Sequence, residues 1–154
     1  MEVRIKNHLI SEVMEFFYNL KLNTGRESRH RSRFLKKLNE HLEDIKDQQK
    51  ALLKQHCRLD EKGEPRIIQE NDENTGKYDI IDEKAYEKDY LELMNEEFII
   101  NDANSQLMLK TIRKILDEYD GEKNGVSLSG RSAVLYDYLC EVFKVDEEIE
   151  EDDD

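Results

Sequence analysis

The sequence predicts a mainly α fold: a helical bundle with one long central helix, an inserted β-hairpin and a small two-stranded sheet. Three observations carry that expectation. Charged residues make up 40% of the chain against 37% hydrophobic, with no Trp, one Pro and six Gly, a balance that suits solvent-faced helices better than sandwiches or barrels. Apolar residues recur at helical spacing through most of the chain, and clusters of Gly, Asn and Asp separate the recurrences. A chain of 154 residues builds one core, so a single helical domain over 1–145 is expected, followed by an acidic, mobile tail at 146–154.

Taken in order, Val3 and Ile5 alternate with polar neighbours and predict a short strand over 2–6. Asn7 then stands as the N-cap of a helix over 8–22, whose wide apolar face is Leu9, Ile10, Val13, Met14, Phe16, Phe17 and Leu20. The turn Asn23-Thr24-Gly25 ends it. Thr24 with Glu27 three residues on fits a capping box, with Ser28 the competing cap, for the long helix over about 28–58. Along that helix Leu35, Leu38, Leu42, Ile45, Gln49, Leu52 and His56 follow 3-4 spacing, a heptad seam suited to packing on another helix or to self-association. Gly63 and Pro65 stop it. The β-prone runs Arg66-Ile67-Ile68-Gln69 and Lys77-Tyr78-Asp79-Ile80-Ile81 predict a hairpin over 65–81. Asp82 caps a helix carrying Tyr86, Tyr90, Leu93 and Met94, the expected antiparallel neighbour of the long one. Phe98-Ile99-Ile100 is placed as the strand that pairs with Val3–Ile5. A helix to Tyr119 follows, facing inward with Leu107, Met108, Ile112, Ile115 and Leu116. The last helix begins at Ser129 or Gly130 and carries Val134, Leu135, Tyr138, Leu139, Val142 and Phe143. The two ends of the body thus share an order of strand, helix, glycine turn and helix, with Gly25 matching Gly125 and Arg31-Ser32 matching Arg131-Ser132 at a shift of 100 residues.

The net charge of −13 is unevenly distributed. Residues 26–37 hold six cations, Arg26, Arg29, Arg31, Arg33, Lys36 and Lys37, and one acid, whereas residues 141–154 hold nine acids and Lys144 alone of the cations. Cations in the first turns of a helix face the positive end of its dipole, each at a cost of about 0.3–1 kcal/mol when exposed. An anion should therefore accompany them: nearby Glu27 or Glu40, the acidic tail folded back, or a partner. Those six residues are the candidate partner-binding face. An acidic protein surface suits them better than nucleic acid, since the acidic whole repels duplex and Phe34 alone supplies an aromatic among them.

Catalytic patterns are missing. The chain contains no phosphate-binding glycine loop, HExxH, GxSxG or EF-hand pattern, and His8, His30, His41 and His56 are scattered. Cys57 and Cys140 lack a CxxC partner and read as reduced, buried thiols. The expectation is a non-enzymatic protein with no cofactor and no metal. No apolar run spans a membrane and the N-terminus lacks the sections of a signal peptide, which points to a soluble, cytoplasmic protein without a membrane partner.

The run Gly25-Arg26-Glu27-Ser28-Arg29-His30-Arg31-Ser32-Arg33-Phe34, the charged helix after it, Asp60-Glu61-Lys62-Gly63-Glu64-Pro65, Tyr78-Asp79-Ile80 and Glu92-Leu93-Met94-Asn95-Glu96-Glu97 together resemble a family of small, uncharacterised phage and prophage proteins of Gram-positive bacteria. The similarity covers roughly residues 3–120 and is one of pattern. The resemblance implies an accessory protein of a phage, working in the cytoplasm of the bacterial host or on the virion, through contact with another phage or host protein in tail assembly or in interference with a host factor. The alternative expectation is a nucleic-acid-related role, with the 26–37 face binding the anion directly or the acidic surface imitating DNA to block a host or defence protein.

Overall fold

The computed structural model describes residues 1–69 and 73–148. The tail expected at 146–154 therefore lies, for 149–154, outside the described residues, as do 70–72 of the expected hairpin loop. Among the described residues the fold is mainly helical, with five α-helices and one two-stranded antiparallel sheet. The chain divides into two compact units, one made of Met1–His41 with Glu97–Asp154 and the other of Leu42–Glu96.

In the first unit, strand β1 (Val3–Lys6) pairs antiparallel with β2 (Glu97–Ile100), Val3 opposite Ile100 and Ile5 opposite Phe98. Val3 and Ile5 are buried while Arg4 and Lys6 are exposed, so the alternation in the sequence is the alternation of faces. The pairing matches the expected one. Asn7 is not an N-cap. Strand β1 runs straight into a 3₁₀ turn, Asn7–Leu9, that continues as α1 (Ile10–Tyr18), leaving no open first turn to cap. Asn7 is instead buried, with its Oδ1 2.7 Å from His41 Nε2.

Helix α1 stops short of the expected residue 22. The carbonyls of Phe17 and Leu20 accept from the Arg31 guanidinium, and Lys21 N donates to Asn124 O at 2.9 Å, so the backbone is drawn out of helical register. Helix α2 (Gly25–His56) begins at Thr24, whose Oγ1 accepts from Glu27 N at 3.2 Å and donates to the Glu27 carboxylate at 3.0 Å. Residues 25–41 of α2 belong to this unit. A 3₁₀ turn at Ala103–Ser105 leads into α4 (Gln106–Asp117), and α5 (Arg131–Val142) closes the unit. Phe16, Phe17, Phe34 and Phe143 form an edge-to-face series with centroids 5.3–5.9 Å apart, joined by Ile112, Leu116 and Leu139 in the core. Two residues expected inside are outside: Leu107 is 62% and Val134 70% exposed. Each lies about 100° around its helix from a neighbour that takes the inward place, Met108 and Leu135.

In the second unit, residues 42–56 of α2 run antiparallel to α3 (Glu83–Asn95), as expected. Gln49 meets Met94, His56 Nε2 lies 2.7 Å from Asp89 Oδ2, and Ile45 and Leu93 are buried. Asp82 caps α3 by accepting from Ala85 N at 3.2 Å. The expected hairpin is present as isolated bridges, Leu59 with Pro65, Ile67 with Tyr78 and Cys57 with Ile80, rather than as strands. Asp60 turns the chain by accepting from Lys62 N and Glu64 N, and the runs that follow are too short and too often polar to extend a ladder. Along α2, Leu38 and Ile45 of the heptad seam are buried and its other members half-buried within the chain. Among the described residues no helix is long and apolar enough to cross a membrane.

Candidate anion-binding groove

The first turns of α2 lie antiparallel to α4. His30 Nδ1 lies 2.6 Å from Thr111 Oγ1, and Lys37 Nζ lies 3.8 Å from the Asp102 carboxylate just before α4. Between the helices runs a groove of about 430 Å³ lined by Thr24, Arg26, Glu27, Leu107, Lys110, Thr111 and Lys114. Three of those residues are cations and one is an acid.

Of the six cations singled out in the sequence, four share one row. Arg26, Arg29, Arg33 and Lys36 follow 3-4-3 spacing, all are exposed, and the row is about 15 Å long at 1.5 Å per residue. Among the described residues none of the four has an ion pair with a carboxylate. The other two are engaged within the fold. Arg31 is half-buried and holds the end of α1 through Phe17 O and Leu20 O. Lys37 is paired with Asp102, whose carboxyl is held below its usual range by the Ser105 hydroxyl that donates to it and by Lys37 itself. Lys110 and Lys114 lie outside the candidate face that the sequence marks at 26–37. They stand one turn apart on α4, exposed and likewise without an ion pair among the described residues, so the site comprises cations of two helices. Their i, i+4 spacing was visible, but it marks any solvated helix face. Only packing α4 against α2 gives it meaning.

His30 is the buried floor of this arrangement, 7% exposed. The Thr111 hydroxyl donates to Leu107 O at 3.0 Å, so its oxygen accepts the Nδ1 hydrogen of His30, which assigns the tautomer. Burial, then the fields of Arg26, Arg33 and Arg29, press the His30 pKa below its ordinary value. The ring is neutral at neutral pH and adds no charge to the groove.

No family model, curated protein or solved structure matches the chain. The site must be read from its own chemistry. Guanidinium groups grip planar oxyanions by two parallel hydrogen bonds, ammonium groups act as point charges, and the opening turn of α2 adds partial positive charge. The exposed Leu107 gives the groove an apolar edge. Together these suit a carboxylate-bearing chain with some apolar character. The two thiols stand apart from this chemistry. Burial pushes both Cys57 and Cys140 above the ordinary range, which keeps them protonated and poorly nucleophilic.

Proposed function

We propose that the protein is a non-enzymatic interaction protein that docks an acidic segment of another protein along the groove between α2 and α4. The observation that supports this reading is the exposed row Arg26, Arg29, Arg33 and Lys36, whose Arg26 lines the groove together with Lys110 and Lys114: six cations on an otherwise acidic chain, none of them in an ion pair with a carboxylate among the described residues. Cations clustered against the net charge of a molecule focus its attraction on anionic partners and orient their approach. The resemblance to phage and prophage proteins sets the context of the reading: an accessory protein whose partner is a phage structural protein or a host factor in the bacterial cytoplasm.

Protein is favoured over nucleic acid because a net charge of −13 opposes a long polyanion more than a short acidic segment. The test uses a labelled hepta-glutamate peptide and a labelled DNA duplex against the wild-type chain and an Arg29→Glu/Arg33→Glu/Lys110→Glu/Lys114→Glu variant. Peptide binding should fall at least tenfold in the variant, in line with the loss of about 1.4 kcal/mol or more when charges reverse at a contact. Unchanged peptide binding overturns the reading. Duplex binding tighter than peptide binding, with a steep loss on added salt, replaces it with direct nucleic-acid recognition.

A further inference from the structure

The α2–α4 groove has a spacing as well as a charge, and the spacing restricts the shape of acidic chain it can take. The two helices are antiparallel and are tied together at His30 with Thr111 and again at Lys37 with Asp102. Arg26, one turn before His30, therefore stands level with Lys114, nearly one turn beyond Thr111, and both line the groove. Arg33, nearly one turn after His30, stands level with Leu107, one turn before Thr111. Seven residues separate Arg26 from Arg33, and seven separate Leu107 from Lys114, so each pair lies on nearly one side of its helix, about 10.5 Å apart. The groove thus offers two stations over a floor of buried His30 and Thr111. One is doubly cationic, Arg26 with Lys114. The other sets the Arg33 guanidinium beside an apolar side chain, Leu107, that is 62% exposed.

A partner must reach both stations from one side of its own backbone. In an extended chain, side chains on one face recur at about 6.6–6.8 Å and again at about 13–14 Å, and the residue about 10 Å along points the opposite way. In an α-helix the seventh residue on returns to the same face at about 10.5 Å, with its i+3 and i+4 neighbours between. Two packed helices also present the ridges between which a third helix seats, at about 8–10 Å from each. From spacing, floor and apolar edge we infer that the acidic partner segment lies in the α2–α4 groove as an amphipathic helix. One of its carboxylates meets Arg26 and Lys114. Seven residues along, an aliphatic side chain covers Leu107 beside a second carboxylate on Arg33. This inference rests on the groove being the binding site proposed above, and it makes Leu107 the selecting contact. Any short polyanion satisfies the cations, but only a partner with an apolar residue in register gains by covering Leu107.

Three labelled peptides test this on the full chain. Two share one alanine-based composition and a length of about 18 residues, enough to hold helix. The first places Glu and Leu at i, i+3, i+4 and i+7 on one face, and the second spreads them around the helix. The third is the first with Pro at its centre. The first should bind at least tenfold tighter than the other two and show helical Cα chemical shifts when bound. Leu107→Gln, at an exposed position, should weaken the first about tenfold and leave hepta-glutamate affinity unchanged. Equal affinities for the three peptides overturn the inference and leave the groove as a site that reads charge alone, as does binding of the first untouched by Leu107→Gln. Binding of hepta-glutamate with none of the three bound also overturns the inference by itself. If the first binds tightest yet keeps its affinity for the Arg29→Glu/Arg33→Glu/Lys110→Glu/Lys114→Glu variant, the helix docks elsewhere, and the groove reading falls with the inference.

Discussion

At the scale of single residues, two positions carry much of the local logic. Gly125 has φ of +75°, where L side chains are strained, and a Cβ there would stand 3.0 Å from Lys21 Cδ. Beside it, buried Asn124 accepts from Asp120 N at 2.9 Å through Oδ1 and donates to Lys21 O at 2.9 Å through Nδ2. Lys21 N returns a bond to Asn124 O, so the turn after α1 and the turn after α4 are locked to each other. Gly125→Ala should cost about 1–3 kcal/mol of stability, read as a lower urea midpoint with an unchanged slope. His30 sets a pH dependence. Because folding holds it neutral, the unfolded state binds more protons between the lowered folded pKa and the ordinary 6.5. Its contribution is therefore whole above about 6.5 and lost as pH falls through the folded value. His30→Gln should flatten the fall of the urea midpoint across that window. The caps Thr24 and Asp82 were legible because their partners lie three residues away. His30 was one of four scattered histidines because its partner, Thr111, is 81 residues distant.

Elements divide in the same way. The pairing of Val3–Ile5 with 98–100 could be read from alternation and apolar content, since both are local to each strand. Helix ends could not, because the groups that hold the backbone at and just past them come from other helices: Arg31 of α2 at the end of α1, and Arg113 of α4 on the chain that leaves α5. The arginine burst looked uniform in sequence for this reason, and the helix on which it rides sorts it by angle. Arg31 sits about 100° or more around α2 from the row of Arg26, Arg29 and Arg33 and is spent on structure. Arg31→Gln should then lower stability by about 1–3 kcal/mol, the range for hydrogen bonds from a charged donor, and leave hepta-glutamate affinity unchanged. Arg33→Glu should do the reverse, shifting stability by no more than about 0.5 kcal/mol while weakening the peptide. Chemical denaturation and fluorescence anisotropy on the two variants read both quantities. If Arg31→Gln alone weakened the peptide, the division of the burst into capping and binding members would fail.

For the molecule as a whole, the repeated order noticed in the sequence is the order of the elements in the first unit. Strand, 3₁₀ turn, helix, turn and helix occur as β1, Asn7–Leu9, α1 and the start of α2, and again as β2, Ala103–Ser105, α4 and α5. The two strands pair with each other, and the Leu42–Glu96 unit interrupts the chain between the copies. Where the interruption begins and ends, the first unit holds both sides together. The rings of His41 and Phe98 are 4.0 Å apart, His41 Nε2 is 2.7 Å from Asn7, and Lys6 is opposite Glu97 across the sheet. A linker of about four residues, reaching up to about 14 Å, can therefore join His41 to Glu97 without strain. All the core phenylalanines and every groove cation belong to the first unit. A chain from which 42–96 is removed and so rejoined should fold cooperatively, with a smaller urea slope because less surface is exposed on unfolding. It should keep dispersed resonances for Phe17, Phe34 and Phe143 and bind hepta-glutamate as the full chain does. Non-cooperative melting would mean that the first unit draws its stability from the inserted one. Cooperative folding with peptide binding lost would place part of the binding surface in 42–96, outside the groove.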